Sequence, residues 1–124
     1  LGISFTPFTF GATIMMVGEK IDCSTFLKGY RPFEDMQGLV NAMRKNTIVW
    51  CWAADKFTKM NDFCLRFAVN GHLHKGHVYV VVNSADLFDL FITSNRGKIK
   101  TIINDVYLGD LIDTIDNNVE TVKV

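Results

Sequence analysis

An α+β domain is the fold class this sequence predicts: an antiparallel β-meander of four to five strands, two helices on one face, and an extended N-terminal arm. Three observations lead there. A helical apolar stripe opens the regular part of the chain, period-two alternation fills its middle, and a second helical stripe closes it. The 124 residues fit a single domain, read as an arm (1–31) followed by a helix–meander–helix core (32–124), and suffice to bury a real core. Ten Phe and only two Pro favour regular elements over a loop-rich scaffold.

The uncharged stretch LGISFTPFTFGATIMMVG opens the chain. It lacks a basic leader and is interrupted by Pro7, Gly11 and several Thr, which makes a poor signal peptide or membrane helix. Ile3 and Phe5, then Phe8 and Phe10, alternate as strands do, so it reads as an extended, partly buried arm. Helix follows over Pro32 to Lys45, where Phe33, Met36, Leu39, Val40 and Met43 recur at helical spacing. Pro32 suits the first helical position, with Glu34 and Asp35 near the positive end of the dipole and Arg44 and Lys45 near the negative end.

Strands come next. Ile48 to Ala53 is β-rich, and Asp62 to Asn70 puts Phe63, Leu65, Phe67 and Val69 on one face. His77 to Asn83 alternates through Val78, Val80 and Val82. Apolar faces stay together if Val69 pairs with Val78, Phe67 with Val80 and Leu65 with Val82, leaving Asn70 to Gly76 as the loop. A further hairpin joins Leu87–Thr93 to Lys98–Asn104 across Ser94-Asn95-Arg96-Gly97, pairing Ile92 with Ile99, Leu90 with Thr101 and Phe88 with Ile103. Its other face, with Asp89, Phe91 and Lys100, reads as a mixed surface. The last helix spans Val106 to Val119, capped by Asn104 or Asp105, with the stripe Leu108, Leu111, Ile112, Ile115 and Val119 turned to the sheet.

Thirteen basic residues balance thirteen acidic ones, which argues against a dedicated nucleic-acid binder. Cys23, Cys51 and Cys64 are an odd number without metal-type spacing. Cys51 and Cys64 lie in apolar runs, so a disulfide framework is not expected and a reducing compartment is. No nucleophile elbow or phosphate-cradling glycine loop occurs, so no catalytic residue and no cofactor are assigned. All three histidines fall in one loop, as His72, His74 and His77. They are the candidate metal ligands, but no carboxylate nearby in sequence offers them support, and no metal is assigned.

Two surfaces remain as binding candidates. From Asp105 to Val124 five carboxylates face one Lys, and Asp110, Asp113, Asp116 and Glu120 form an acidic helix side suited to a basic partner. Trp50 and Trp52 share a strand parity. Core packing is their default, and on an open face they would anchor a protein partner. Arg96, Lys98 and Lys100 with Phe91 give a nucleic-acid alternative, bases stacking beside cations. The arm or an edge strand offers routes to a homo-oligomer.

Three segments, Lys75-Gly76-His77-Val78-Tyr79-Val80-Val81-Val82-Asn83, Ala85-Asp86-Leu87-Phe88-Asp89-Leu90 and Asn104-Asp105-Val106-Tyr107-Leu108-Gly109-Asp110-Leu111-Ile112, carry a resemblance. Over roughly Thr47 to Val119 the chain resembles small uncharacterised proteins of bacteriophages and mobile elements. The resemblance implies a phage-type accessory protein in the cytoplasm of a bacterial host, binding and blocking a host protein, including components of anti-phage defence. It brings no catalytic residue and no cofactor.

Overall fold

Four antiparallel hairpins in a row generate the centre of the molecule. In this computed structural model the described residues are 15–25, 29–46, 49, 52, 54–71 and 73–119. Strands β1 (Asp55–Asn61), β2 (Cys64–Asn70), β3 (Lys75–Val82), β4 (Phe88–Thr93) and β5 (Ile99–Val106) form one sheet in the order β1-β2-β3-β4-β5. Helices α1 (Met36–Arg44) and α2 (Leu111–Val119) both pack on one face of it. The α+β class, the meander and the common helix face agree with the sequence.

Several boundaries differ. Helix α1 begins at Met36, not Pro32, because the Asp35 carboxylate captures the Gly38 N–H at 2.9 Å and so defines the N-cap. The strand expected over Ile48 to Ala53 is not formed at its described positions. Val49 is helical and Trp52 lies in a turn, its N–H bonded to the Val49 carbonyl, while residues 47, 48, 50, 51 and 53 lie outside the described residues. Tertiary contacts override β-propensity here. The Trp52 ring stacks on Phe67 at 6.4 Å, and its indole N–H donates to Asp116 Oδ1 at 2.8 Å. The first strand is instead the polar segment DKFTKMN, held by Phe57 stacked on Phe67 at 5.1 Å.

The first expected register is two residues off, and so is the second at Leu90 and Ile92, with Phe88 three off. Phe67 faces Val78 and Leu65 faces Val80, while Val69 faces Gly76. A shift of two preserves the faces, so hydrophobic patterning alone cannot detect it. The deciding feature is Gly76: a Cβ there would strike the Thr93 carbonyl oxygen, so the strand can pass close to β4 and begin early. In the next hairpin Ile92 faces Thr101, Leu90 faces Ile103 and Phe88 faces Val106, with irregularities that let Thr93 face Ile99. Lys100 lies in one of these and stays exposed. Val106 belongs to β5 rather than to the last helix. Asp105 does not cap that helix, and after Tyr107 a 3-10 turn (Leu108–Asp110) leads into α2.

The main correction concerns the second sheet face. Asp89 and Phe91, expected on a mixed surface, are only 6% and 2% exposed. They lie on the face that carries a second core of Cys64, Tyr79, Val81, Phe91 and Ile99, lined by Met15, Ile21, Cys23 and Tyr30 of the arm. The arm pairs with β5 through the Lys20–Lys98 bridge, then crosses to the far edge of β3, where Arg31 bridges to Val82. Two backbone bonds fix the first contact, Gly18 N–H to the Ile99 carbonyl and Ile99 N–H to the Glu19 carbonyl, at 2.8 and 2.7 Å. The alternation expected at Ile3, Phe5, Phe8 and Phe10 lies outside the described residues.

Candidate functional site

Asn83 organises the end of the sheet where β3, β4 and β5 meet. Its Nδ2 donates to Asp89 Oδ1 at 2.9 Å and to Asp105 Oδ1 at 2.8 Å, and its Oδ1 accepts from the N–H groups of Ala85 and Leu87. The Asp105 N–H completes the knot on Asp89 Oδ1 at 3.0 Å. Asp86 and Asp105 both take left-handed backbone, at φ 65° and 60°. Such conformations cost energy in a non-glycine residue and persist where surrounding bonds over-determine them, as they do here. The knot thereby fixes the β3–β4 turn and the exit from β5, and with it the position of Tyr107 and Leu108.

Beside this knot lies a groove of about 560 Å³ lined by Pro32, Phe33, Leu39, Phe88 and Leu108 among others. Three carboxylates, Glu34, Asp35 and Asp86, also line it, and no Lys or Arg does among the described residues. Arg31 reaches Asp86 from outside at 3.6 Å, an exposed pair of little net worth. Leu108, which lines the groove, is 66% exposed, and Tyr107, next to it in the chain, is 63% exposed. Asp110 closes the same 3-10 turn as Leu108 and is exposed, as is Asp113 one turn on. The arrangement can hold an apolar side chain and favours positive charge around it.

Of the binding residues expected from sequence, Trp50 and Glu120 lie outside the described residues. Trp52 is 0% exposed and offers no surface, and Asp116 is its hydrogen-bond partner. The acidic helix side is thus divided: Asp116 serves the core, while Asp110 and Asp113 face solvent. Sequence reasoning missed Glu34, Asp35 and Asp86 as parts of a surface. Leu108, expected in the sheet-facing stripe, is instead exposed, because the 3-10 turn takes it out of α2.

The basic candidates stay outside. Arg96, Lys98 and Lys100 are exposed, and the arm brings exposed Lys20 opposite Lys98. Phe91, their expected stacking partner, is buried under the arm and cannot meet a base. In the histidine loop, His74 Nε2 donates to the Thr93 carbonyl at 2.7 Å, and His77 pairs across to Thr93. His72 lies outside the described residues. Burial, then the Arg66 charge, lowers the His77 pKa. Among the described residues no group of three or more His, Cys, Asp or Glu is placed to hold a metal ion. No helix there is long and apolar enough to cross a membrane. Compared with known proteins, the chain matches no family model, no curated protein and no solved structure.

Proposed function

We propose that this chain is a small non-catalytic protein-binding module. Its groove beside Leu108 takes an apolar anchor that the partner carries between basic residues. The observation supporting this reading is the exposed Leu108, next in the chain to exposed Tyr107, on a groove whose charged lining among the described residues is all carboxylate. Apolar burial supplies affinity and the rim selects the charge of the partner. The resemblance to phage and mobile-element proteins extends the reading: an accessory protein in the cytoplasm of a bacterial host, binding and blocking a host protein, such as one of anti-phage defence.

The test is a pull-down from bacterial host lysate with the full chain, alongside Leu108→Ser and Asp110→Lys. Both positions are exposed, so both variants should fold. The expected outcome is a protein retained by the wild type, lost at least about tenfold with each variant, and cross-linked near Leu108 through a Lys- or Arg-flanked apolar segment. Nothing retained, or equal retention by the variants, overturns the reading.

A second reading, nucleic-acid binding, is favoured by one observation: Lys20 joins Arg96, Lys98 and Lys100 on one edge. It requires low-salt DNA or RNA binding that weakens with Lys98→Ala and flattens in salt dependence. Absence of binding at low salt ends it.

A further inference from the structure

Cys23 lies in a 3-10 turn of the arm (Cys23–Thr25), and Cys64 opens β2 on the sheet face beneath it. Three relations bring them together. Both belong to the arm-facing core. Asn61, which faces Cys64 across the β1–β2 hairpin, donates from Nδ2 to the Cys23 carbonyl at 3.2 Å, tying the turn to the strand. Each thiol is also the first influence on the other's pKa, Cys64 lowering Cys23 and Cys23 raising Cys64.

The pair is asymmetric. Cys23 is partly exposed and Cys64 is buried. The neighbouring Cys64 thiol lowers the Cys23 pKa, with a smaller contribution from Arg66, against burial and the Asp22 charge. The Cys23 thiol, then burial, pushes Cys64 well above the thiol range. Arg66, whose buried Nε has no hydrogen-bond partner among the described residues, supplies positive charge to both sulfurs. Cys23 is therefore the thiol that peroxide meets first, and Cys64 lies beneath it in the same core.

We propose that Cys23 and Cys64 form a reversible oxidation site for hydrogen peroxide, whose disulfide fastens the arm to the sheet. The Cys23 thiolate attacks one peroxide oxygen and breaks the O–O bond. The departing hydroxide takes a proton and leaves as water, with sulfur oxidised to sulfenic acid and peroxide reduced. The Cys64 sulfur then attacks the Cys23 sulfur. The S–S bond forms as the S–O bond breaks, and the released hydroxyl leaves as a second water with the Cys64 proton. Two thiols and one peroxide give one disulfide and two waters. A dithiol reductant reverses the bond by exchange.

The experiment treats the full chain with one equivalent of hydrogen peroxide, alkylates it after unfolding, and reads intact mass and peptide map. Wild type should retain one alkylatable thiol, Cys51, and Cys51→Ser none, with Cys23 and Cys64 in one cross-linked peptide from a monomer. The melting temperature should rise by about 5–10 °C, since closing residues 23–64 constrains the unfolded chain, and fall back on reduction. In Cys64→Ser, oxidation should stop at a Cys23 sulfenic acid trapped by dimedone. Recovery of both thiols, a bridge to Cys51, or a cross-linked dimer overturns the proposal.

Discussion

The two faces of the sheet are built on different principles. The helix face is covered by α1 and α2 and closed by Val40, Met43, Leu111, Ile115 and Val119 over Leu65, Phe67, Val78, Val80 and Leu90. Regular helices cover it, and it carries the polar contact from Trp52 to Asp116. The arm face is covered by irregular chain, and its core mixes Phe91 and Ile99 with Cys64 and Tyr79. It also carries Arg66, His77 and Asp89. The helix face holds the larger apolar core, whereas the arm face holds the thiol pair and the groups whose pKa values are shifted.

The largest predicted effect tests that division. Phe67→Ala on the helix face removes a ring stacked between Trp52 and Phe57 and should cost about 3–5 kcal/mol in denaturant unfolding. Phe91→Ala removes the same ring under the arm, where irregular chain can collapse into the space, and should cost about 3 kcal/mol or less. If Phe91→Ala proves the costlier of the two, the division is wrong and the arm is the stronger cover.

A smaller effect separates the core-serving carboxylate from its exposed neighbours. Asp116→Leu leaves the buried Trp52 N–H unpaired and should destabilise by about 1–3 kcal/mol, whereas Asp116→Asn keeps an acceptor and recovers most of that. Asp113→Asn, on the exposed side, should stay within about 0.5 kcal/mol. Equal losses at the two positions would mean that the indole bond contributes nothing.

The same contrast explains what the sequence made legible. Leu65, Phe67, Val78, Val80, Leu111 and Ile115 announced the helix face by uninterrupted periodicity, so the class, most of the elements and their shared core were readable. The arm face was not, because Arg66, His77 and Asp89 occupy inward positions among Cys64, Tyr79 and Phe91, and a pattern of apolar against polar calls such a face solvent. Trp52 misled for the opposite reason: its aromatic, β-like context gives no hint that its partner is Asp116, far along the chain. The groove was half legible. Asp110 belongs to the acidic helix side that the sequence predicts, whereas Leu108 reads there as sheet-facing. Glu34, Asp35 and Asp86 come together only because the Asn83 knot fixes the β3–β4 turn and the Arg31 N–H bond to the Val82 carbonyl sets the helix start beside it. Nothing short of the fold contains that information.

The smallest effects are in pH dependence, and both should map to the arm face. Burial, then the charge of Asp89 and its hydrogen bond, pushes the Tyr30 phenol far above its usual range. Burial also raises Tyr79. A phenol with a raised folded pKa contributes stability that is complete below the unfolded value, about 10, and is lost as pH rises beyond it. His77 runs the other way. Its folded pKa is lowered, so its contribution is complete above the unfolded value, about 6.5, and is lost as pH falls toward the folded one. Melting temperatures across pH should therefore fall at both ends, with Tyr30→Phe flattening the alkaline limb and His77→Gln the acid limb below about 6.5. Since His77 is only half-buried, solvent screening makes its limb the shallower. An acid limb unchanged in His77→Gln would assign that loss to carboxylates instead, and the arm face would then be sensitive to alkali alone.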